Sequence, residues 1–195
     1  MPRVADKQER REQVVEAAFR VISRDGLSGT SMRAVAKEAG CTIGLINHWF
    51  ASRDDLIEAT FDRAIELEME RAAAVVSNPA SYIDAASQFL PVDERRRDDA
   101  KVWIAFYAMV VCGPEHEDRR AARCNAVRKV MVEGLRGFRP VAVCHDIVDR
   151  IFVLVDGIAI NALLDPKRWT RSRQRTVLRE GLEDVLARHA EEYTP

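Results

Sequence analysis

Thr30-Ser31-Met32-Arg33-Ala34-Val35-Ala36-Lys37-Glu38-Ala39-Gly40-Cys41-Thr42-Ile43-Gly44-Leu45-Ile46-Asn47-His48-Trp49-Phe50 is the stretch that decides the fold. Thr30 is placed to cap a short helix from Ser31 to Glu38, whose Met32, Val35, Ala36 and Ala39 face inward before Gly40 ends it. One residue, Cys41, separates that stop from a second cap, Thr42, which opens a helix from Ile43 to Trp49. Two short helices on a tight glycine-bearing turn form a helix-turn-helix, whose second helix can enter the major groove of DNA. Ala36, Ala39 and Gly40 keep the helices close, and Ile46 and Phe50 point into a core. That leaves Thr42, Ile43, Leu45, Asn47, His48 and Trp49 on the outer side.

Upstream, Asp6 with Glu9 reads as a capping pair, and Val14, Ala17, Ala18, Val21 and Ile22 recur at helical steps until Gly26. Downstream, Ser52 with Asp55 restarts the chain as a long helix to about Ser77, closed by Asn78-Pro79. Further helices are expected at about 80 to 90, 94 to 112, 116 to 137, 141 to 164 and 172 to 191. Their stops are Pro91, Gly113-Pro114, Gly137 to Pro140 and Asp165-Pro166. No stretch alternates as a strand does, so the fold class is all-α. The expected layout is a three-helix head over residues 1–52 and an antiparallel helical bundle over 53–195.

Composition narrows the function. With 47% hydrophobic and 31% charged residues the 195-residue chain can bury a core and is no candidate for wholesale disorder. Its net charge of −1 argues neither for nucleic acid nor for an anionic membrane. Cys41, Cys112, Cys124 and Cys144 are widely spaced, which reads as reduced, buried thiols of a cytoplasmic protein rather than a disulfide framework or zinc ribbon. The first residues lack the apolar run of a signal peptide. Ile151 to Leu164 is shorter than the about 20 residues a membrane span needs and carries Asp156 and Asn161.

The stretch quoted above, preceded by Gly26 and followed by Ser52-Arg53-Asp54-Asp55-Leu56, resembles the DNA-binding head of the TetR family of transcriptional regulators. The resemblance covers roughly residues 10 to 57. It implies that Arg33 reaches a base or phosphate and that Thr42 contacts phosphate. Gly44, Leu45, Asn47 and His48 would face the groove, Trp49 would pack on the sugar-phosphate backbone, and Arg53 would stand where a lysine usually meets phosphate. Phosphate contacts set register and base contacts set preference, so Arg53, Thr42 and Trp49 are expected to position and Arg33, Leu45 and Asn47 to select. Ile43 and Asn47 stand where many members carry lysine and tyrosine, so base preference does not transfer.

Residues 1–60 hold nine Lys or Arg and nine Asp or Glu, so a basic surface must arise by sorting. Arg3, Lys7, Arg10 and Arg11 are read either as a DNA-contacting arm or as a solvated face, with Asp25 and Glu38 turned away.

In the body, Val102 to Cys112 is apolar on every face, as a central helix and pocket wall would be. Ile151 to Leu164 leaves one side for a second subunit, and the resemblance implies that the stripe Val177, Leu178, Leu182, Val185, Leu186 completes the dimer seam that brings two heads to a palindromic operator on double-stranded DNA. Asp156 needs a partner, either a structural one such as Arg150 or a ligand. With Asn161, Trp103, Phe106 and Tyr107 it makes a candidate ligand set, and an acid among aromatics suits a cationic ammonium compound. Lys101 to Tyr107 and Val155-Asp156-Gly157 also resemble the choline-responsive repressors of that family. His116 among Glu115, Glu117 and Asp118 reads as a solvated loop, and Cys144-His145 has no third ligand, so no metal or cofactor is expected. No phosphate loop or nucleophile elbow is present, so the chain is not read as an enzyme. The expected function is a ligand-released repressor. A TetR-family activator, a ligand-independent regulator and a helical protein-interaction adaptor are the alternatives.

Overall fold

Cap chemistry, more than helix propensity, sets where the elements begin and end. The computed structural model describes residues 4–75, 82–112, 117–136 and 141–191, and among these it is helical with no strand. The described helices are α1 Val4–Gly29, α2 Met32–Ala39, α3 Ile43–Trp49, α4 Arg53–Val75, α5 Tyr82–Ser87, α6 Glu94–Cys112, α7 Glu117–Arg136, α8 Val141–Leu164 and α9 Arg171–Glu191. The stops expected at Asn78-Pro79, Gly113-Pro114 and Gly137 to Pro140 lie outside the described residues, as do Arg3, His116 and the side chains of Asp6, Cys112, Cys124 and Leu186.

Three local expectations change. First, α1 starts at Val4, ahead of Asp6, and runs past the expected stop, but Gly26 breaks it with φ 68 and ψ −178. Second, the cap of α2 is Ser31, whose hydroxyl accepts from the Ala34 N–H at 3.1 Å. Thr30 is buried instead, its hydroxyl donating to the Gly26 carbonyl at 2.8 Å. Third, α5 is shorter than expected. Gln88, Phe89 and Leu90 donate to carbonyls three residues back, because Pro91 disfavours a helical residue before it.

The chain divides into two compact units, one of residues 1–65 with 101–112 and the other of 66–100 with 113–195. In the first, Val14, Ala17, Ala18 and Val21 of α1 pack with Val35 and Ala36 of α2, Ile46 of α3, Phe50 and Leu56. Alanines at the α1 and α2 contacts let the backbones approach, so the short α2 and α3 are held by packing that neither sustains alone. The second half of α6 belongs to this unit. It is not enclosed all round as the sequence suggests, since Ala108 is exposed and Val111 is 77% exposed.

In the second unit, Cys144, Ile147, Val148, Ile151, Val155 and Ile158 line one face of α8 and meet Leu178, Leu182 and Val185 of α9 and Val132 and Leu135 of α7. A Cβ at Gly181 of α9 would come within 2.9 Å of the Leu154 Cδ1 of α8, which shows how close those helices lie. Arg97 donates to the Ala162 carbonyl near the end of α8 at 3.3 Å, and Thr170 caps α9 by accepting from the Arg173 N–H.

Candidate nucleic-acid interface

The turn between α2 and α3 is built by one glycine and one threonine. Gly40 adopts φ 64, a left-handed conformation that residues with a Cβ resist, and its N–H closes on the Ala36 and Lys37 carbonyls. Cys41 N–H donates to the Ala36 carbonyl at 2.9 Å. Two residues after Gly40, Thr42 is extended and its hydroxyl accepts from the Leu45 N–H at 3.3 Å, so α3 starts at once.

That start fixes which way α3 faces. Ile46 and Phe50 are buried, and Trp49 is half-buried against the same core. Thr42, Ile43, Gly44, Asn47 and His48 are exposed and Leu45 is half-buried, so the residues read as groove-facing stand on the open side. Ile43, 37% exposed, is an apolar residue shown to solvent on a seven-residue helix. The Trp49 ring lies 6.1 Å from that of His48, and the Arg11 guanidinium sits 5.1 Å above the Phe50 ring, tying α1 to the end of α3. Gly44 has open space where a side chain would be, the nearest atom to a Cβ being Thr42 Oγ1 at 3.9 Å.

Charge in this unit is sorted by pairing. Glu38 accepts from Arg20 and from Arg24, each at 2.9 Å, and Arg24 also holds Asp25. Hydrogen bonds, first from Arg20 and then from Arg24, hold the Glu38 carboxyl below the usual glutamate range, while Asp25 first and then Glu38 hold Arg24 more firmly charged. Arg33 and Lys37, one turn apart on α2, are exposed, and no acidic partner is found for either among the described residues. Lys37 and the pairing of Glu38 with Arg20 and Arg24 escaped the sequence reading. The signal was there for Lys37, which is four residues from Arg33 on the same face.

Arg53 departs from its expected setting. Its Nε donates to the Thr30 carbonyl at 2.6 Å and its Nη2 to the Leu27 carbonyl, while Nη1 lies 3.4 Å from Asp54 Oδ1. The guanidinium read as a phosphate contact is turned onto the end of α1.

The candidate ligand residues fall in two places. Trp103, Phe106 and Tyr107 come together on α6: Trp103 meets Phe106 edge to face at 5.8 Å and Tyr107 at 5.8 Å, and Phe106 packs on Phe61 at 4.5 Å. Phe106 is fully buried, whereas Trp103 and Tyr107 are half-buried. The Trp103 indole N–H is buried without an acceptor among the described residues. Asp156 and Asn161 are both on α8, in the other unit, five residues and so about 140° apart around the helix. Asp156 is half-buried. Asn161 is exposed and donates to the Gly157 carbonyl of its own helix at 2.7 Å. Arg150 pairs with Asp146 at 2.9 Å. Among the described residues no group of three His, Cys, Asp or Glu could hold a metal ion, and no helix is long and apolar enough to cross a membrane.

Two stretches of the chain match known families. Residues 14–60 match the model of bacterial regulatory proteins of the tetR family, and residues 84–187 match that of the BetI-type transcriptional repressor C-terminal region. The chain is 27% identical to the HTH-type transcriptional regulator PksA of Bacillus subtilis, over 98% of this chain and 97% of that one. It is 26% identical to the regulator BetI of Vibrio vulnificus, over 98% of this chain and 100% of its relative. A transcriptional regulator from Rhodococcus superposes with a TM-score of 0.81 at 26% identity, over 91% of this chain and 96% of its own. A regulator from Saccharomonospora viridis, solved in complex with choline, superposes at 0.76 with 20% identity, over 90% and 96%.

Proposed function

Because the chain belongs to the tetR family of bacterial transcriptional regulators, with a BetI-type C-terminal region, we propose that it is a dimeric repressor, not an enzyme, that holds a palindromic operator until a small molecule releases it. The observation that carries this reading is the orientation of α3. Ile46 and Phe50 spend their apolar surface on the core, and Thr42, Ile43, Gly44, Asn47 and His48 are left facing out. In this reading Thr42 and Trp49 set the register on the backbone, and Arg33, Leu45 and Asn47 read base edges. DNA binding is assigned to residues 1–52, and ligand binding and dimerisation to 53–195. Acting on operator DNA, the protein works in the cytoplasm.

Dimerisation runs through α8 and α9. Val153, 73% exposed, Ile160 and Leu164, 79% exposed, stand on the same side of α8 as the exposed Gly157, an apolar stripe of the kind that marks an interface. Two-fold pairing there repeats α3 along the operator.

The inducer is a small compound with a cationic group, for which Trp103, Phe106 and Tyr107 of the first unit supply the aromatic faces. Aromatic faces attract a desolvated cation, and the choline bound by the Saccharomonospora regulator supports that class. The Trp103 N–H adds a requirement for an acceptor atom on the ligand, because a buried donor left unmet is costly. Ligand binding shifts α4 as a lever and changes the spacing of the two heads, which requires different ligand affinity in the two states.

The test starts by selecting bound duplexes from a random pool. Arg33→Ala combined with Trp49→Ala is expected to weaken the selected duplex on the order of a hundredfold or more, with helicity and dimer intact. Unchanged affinity would remove the DNA role. For choline as the probe, release must be reciprocal, the duplex weakening choline by the factor by which choline weakens the duplex.

A further inference from the structure

The geometry points to Arg53 as a positioning residue, a clamp that fixes the joint from which α2 and α3 are presented to DNA, and not as a phosphate contact. The inference rests on the DNA-binding reading above. Arg53 is the first residue of α4, yet its guanidinium reaches back across the first unit to the Leu27 and Thr30 carbonyls. Those carbonyls lie between Gly26, where α1 is broken, and Ser31, which caps α2. Thr30 is held from its other side, buried, with its hydroxyl on the Gly26 carbonyl at 2.8 Å. The planar fork of arginine takes two carbonyls at once, which the single point charge of lysine does not, and a cation is favoured at a helix C-terminus. Asp54 at 3.4 Å from Nη1 supplies a negative charge beside the guanidinium. A phosphate arriving there would compete with two carbonyls for the N–H groups and meet that carboxylate.

The clamp has a functional consequence because the joint sets the angle at which α2, and through the Gly40 turn α3, leaves α1. Loosening it lets the reading face sample more orientations. Specific binding, which needs one register, suffers, and backbone binding, which tolerates many, does not.

The experiment uses the full-length protein with a duplex selected from a random pool and an unrelated duplex, for wild type, Arg53→Gln and Arg53→Lys. Affinity is measured against salt well below the melting temperature. A phosphate contact contributes about 0.9 to the salt slope, so losing it from both copies lowers the slope by about 1.8. The clamp predicts an unchanged slope for Arg53→Gln, a selected-to-unrelated affinity ratio reduced about tenfold or more, and amide exchange at Thr30, Ala34 and Val35 about tenfold faster. Arg53→Lys, with the charge but not the fork, is expected to keep the slope and recover only part of the ratio. A slope lowered by about 1.8 in Arg53→Gln with full rescue by lysine would overturn the clamp, as would an unchanged ratio and unchanged exchange. Failure of wild type to prefer any duplex would remove the DNA reading alone, since the exchange measurement still reports on the joint.

Discussion

Gly44→Ala is expected to make the protein more stable and a poorer DNA binder. Gly44 is the second residue of α3, and its missing side chain is not needed by the fold: a Cβ meets nothing nearer than Thr42 Oγ1, at the ordinary contact distance of 3.9 Å. Alanine in place of an exposed helical glycine recovers up to about 0.8 kcal/mol in each copy. In a chain of this size that raises the melting temperature by up to about 3 °C. If the α3 backbone lies against DNA, the same methyl group fills the space between them. An overpacking cost of about 1 kcal/mol per copy, the low end of what an added methylene produces in a filled contact, becomes about 2 kcal/mol for a dimer, a roughly thirtyfold loss of affinity. Calorimetry and titration of the selected duplex read the two effects separately. A variant that melts higher and binds as tightly as wild type would refute the placement of this face against DNA, because no internal clash is available to blame.

Two other perturbations probe separate parts of the molecule. Glu38→Gln removes the acceptor shared by Arg20 and Arg24. The native carboxyl is held below its unfolded value of about 4.3, so its stabilising contribution is present above that value and fades as pH falls through the lowered native one. Wild type should therefore unfold at higher urea than the variant at neutral pH and converge with it in acid, and a gap that persists in acid would contradict the pairing. On α8, Val153→Asp with Leu164→Asp puts charges on side chains exposed in a single chain. Helicity should survive while the dimer dissociation constant rises about a hundredfold or more, and a dimer unaffected in sedimentation would exclude this face from the seam.

The stop of α2, the start of α3 and the stop of α8 were legible because each depends on signals within one turn of the chain: Gly40 and Thr42 around the tight turn, and Asp165-Pro166 after α8. What sequence could not supply was the choice between neighbours of equal chemistry. Thr30 and Ser31 both carry a hydroxyl at the head of α2, and only the burial of Thr30 toward Gly26 assigns the cap to Ser31. Arg53 announces a cation at the start of α4, but its partners are 23 and 26 residues away in sequence. In α6 an all-apolar run says that surface is to be covered, not by what, and residues 101–112 group with the first unit. Asn161 interrupts an apolar run, which reads as a polar group inside a pocket. It stands on the outer side of α8 instead, satisfied by its own helix.

The neutral head is reconciled with DNA binding by distance rather than by total charge. A phosphate feels charges within about a Debye length, roughly 8 Å at physiological salt, so cations and acids spread over residues 1–60 do not simply cancel. Glu38, which lies on α2, is met by two arginines from α1, and Asp25 by one of them. Glu16 faces Arg63 at 3.9 Å. Arg33 and Lys37 are left on the outer side of α2, and Thr42 to Trp49 contains no acid. The reading face is thus locally positive in a head that sums to zero. It also follows that counterion release has few cations to work with, so hydroxyl, amide, imidazole and ring contacts from Thr42, Asn47, His48 and Trp49 must carry a larger share of operator affinity than in a head with a strongly basic recognition helix.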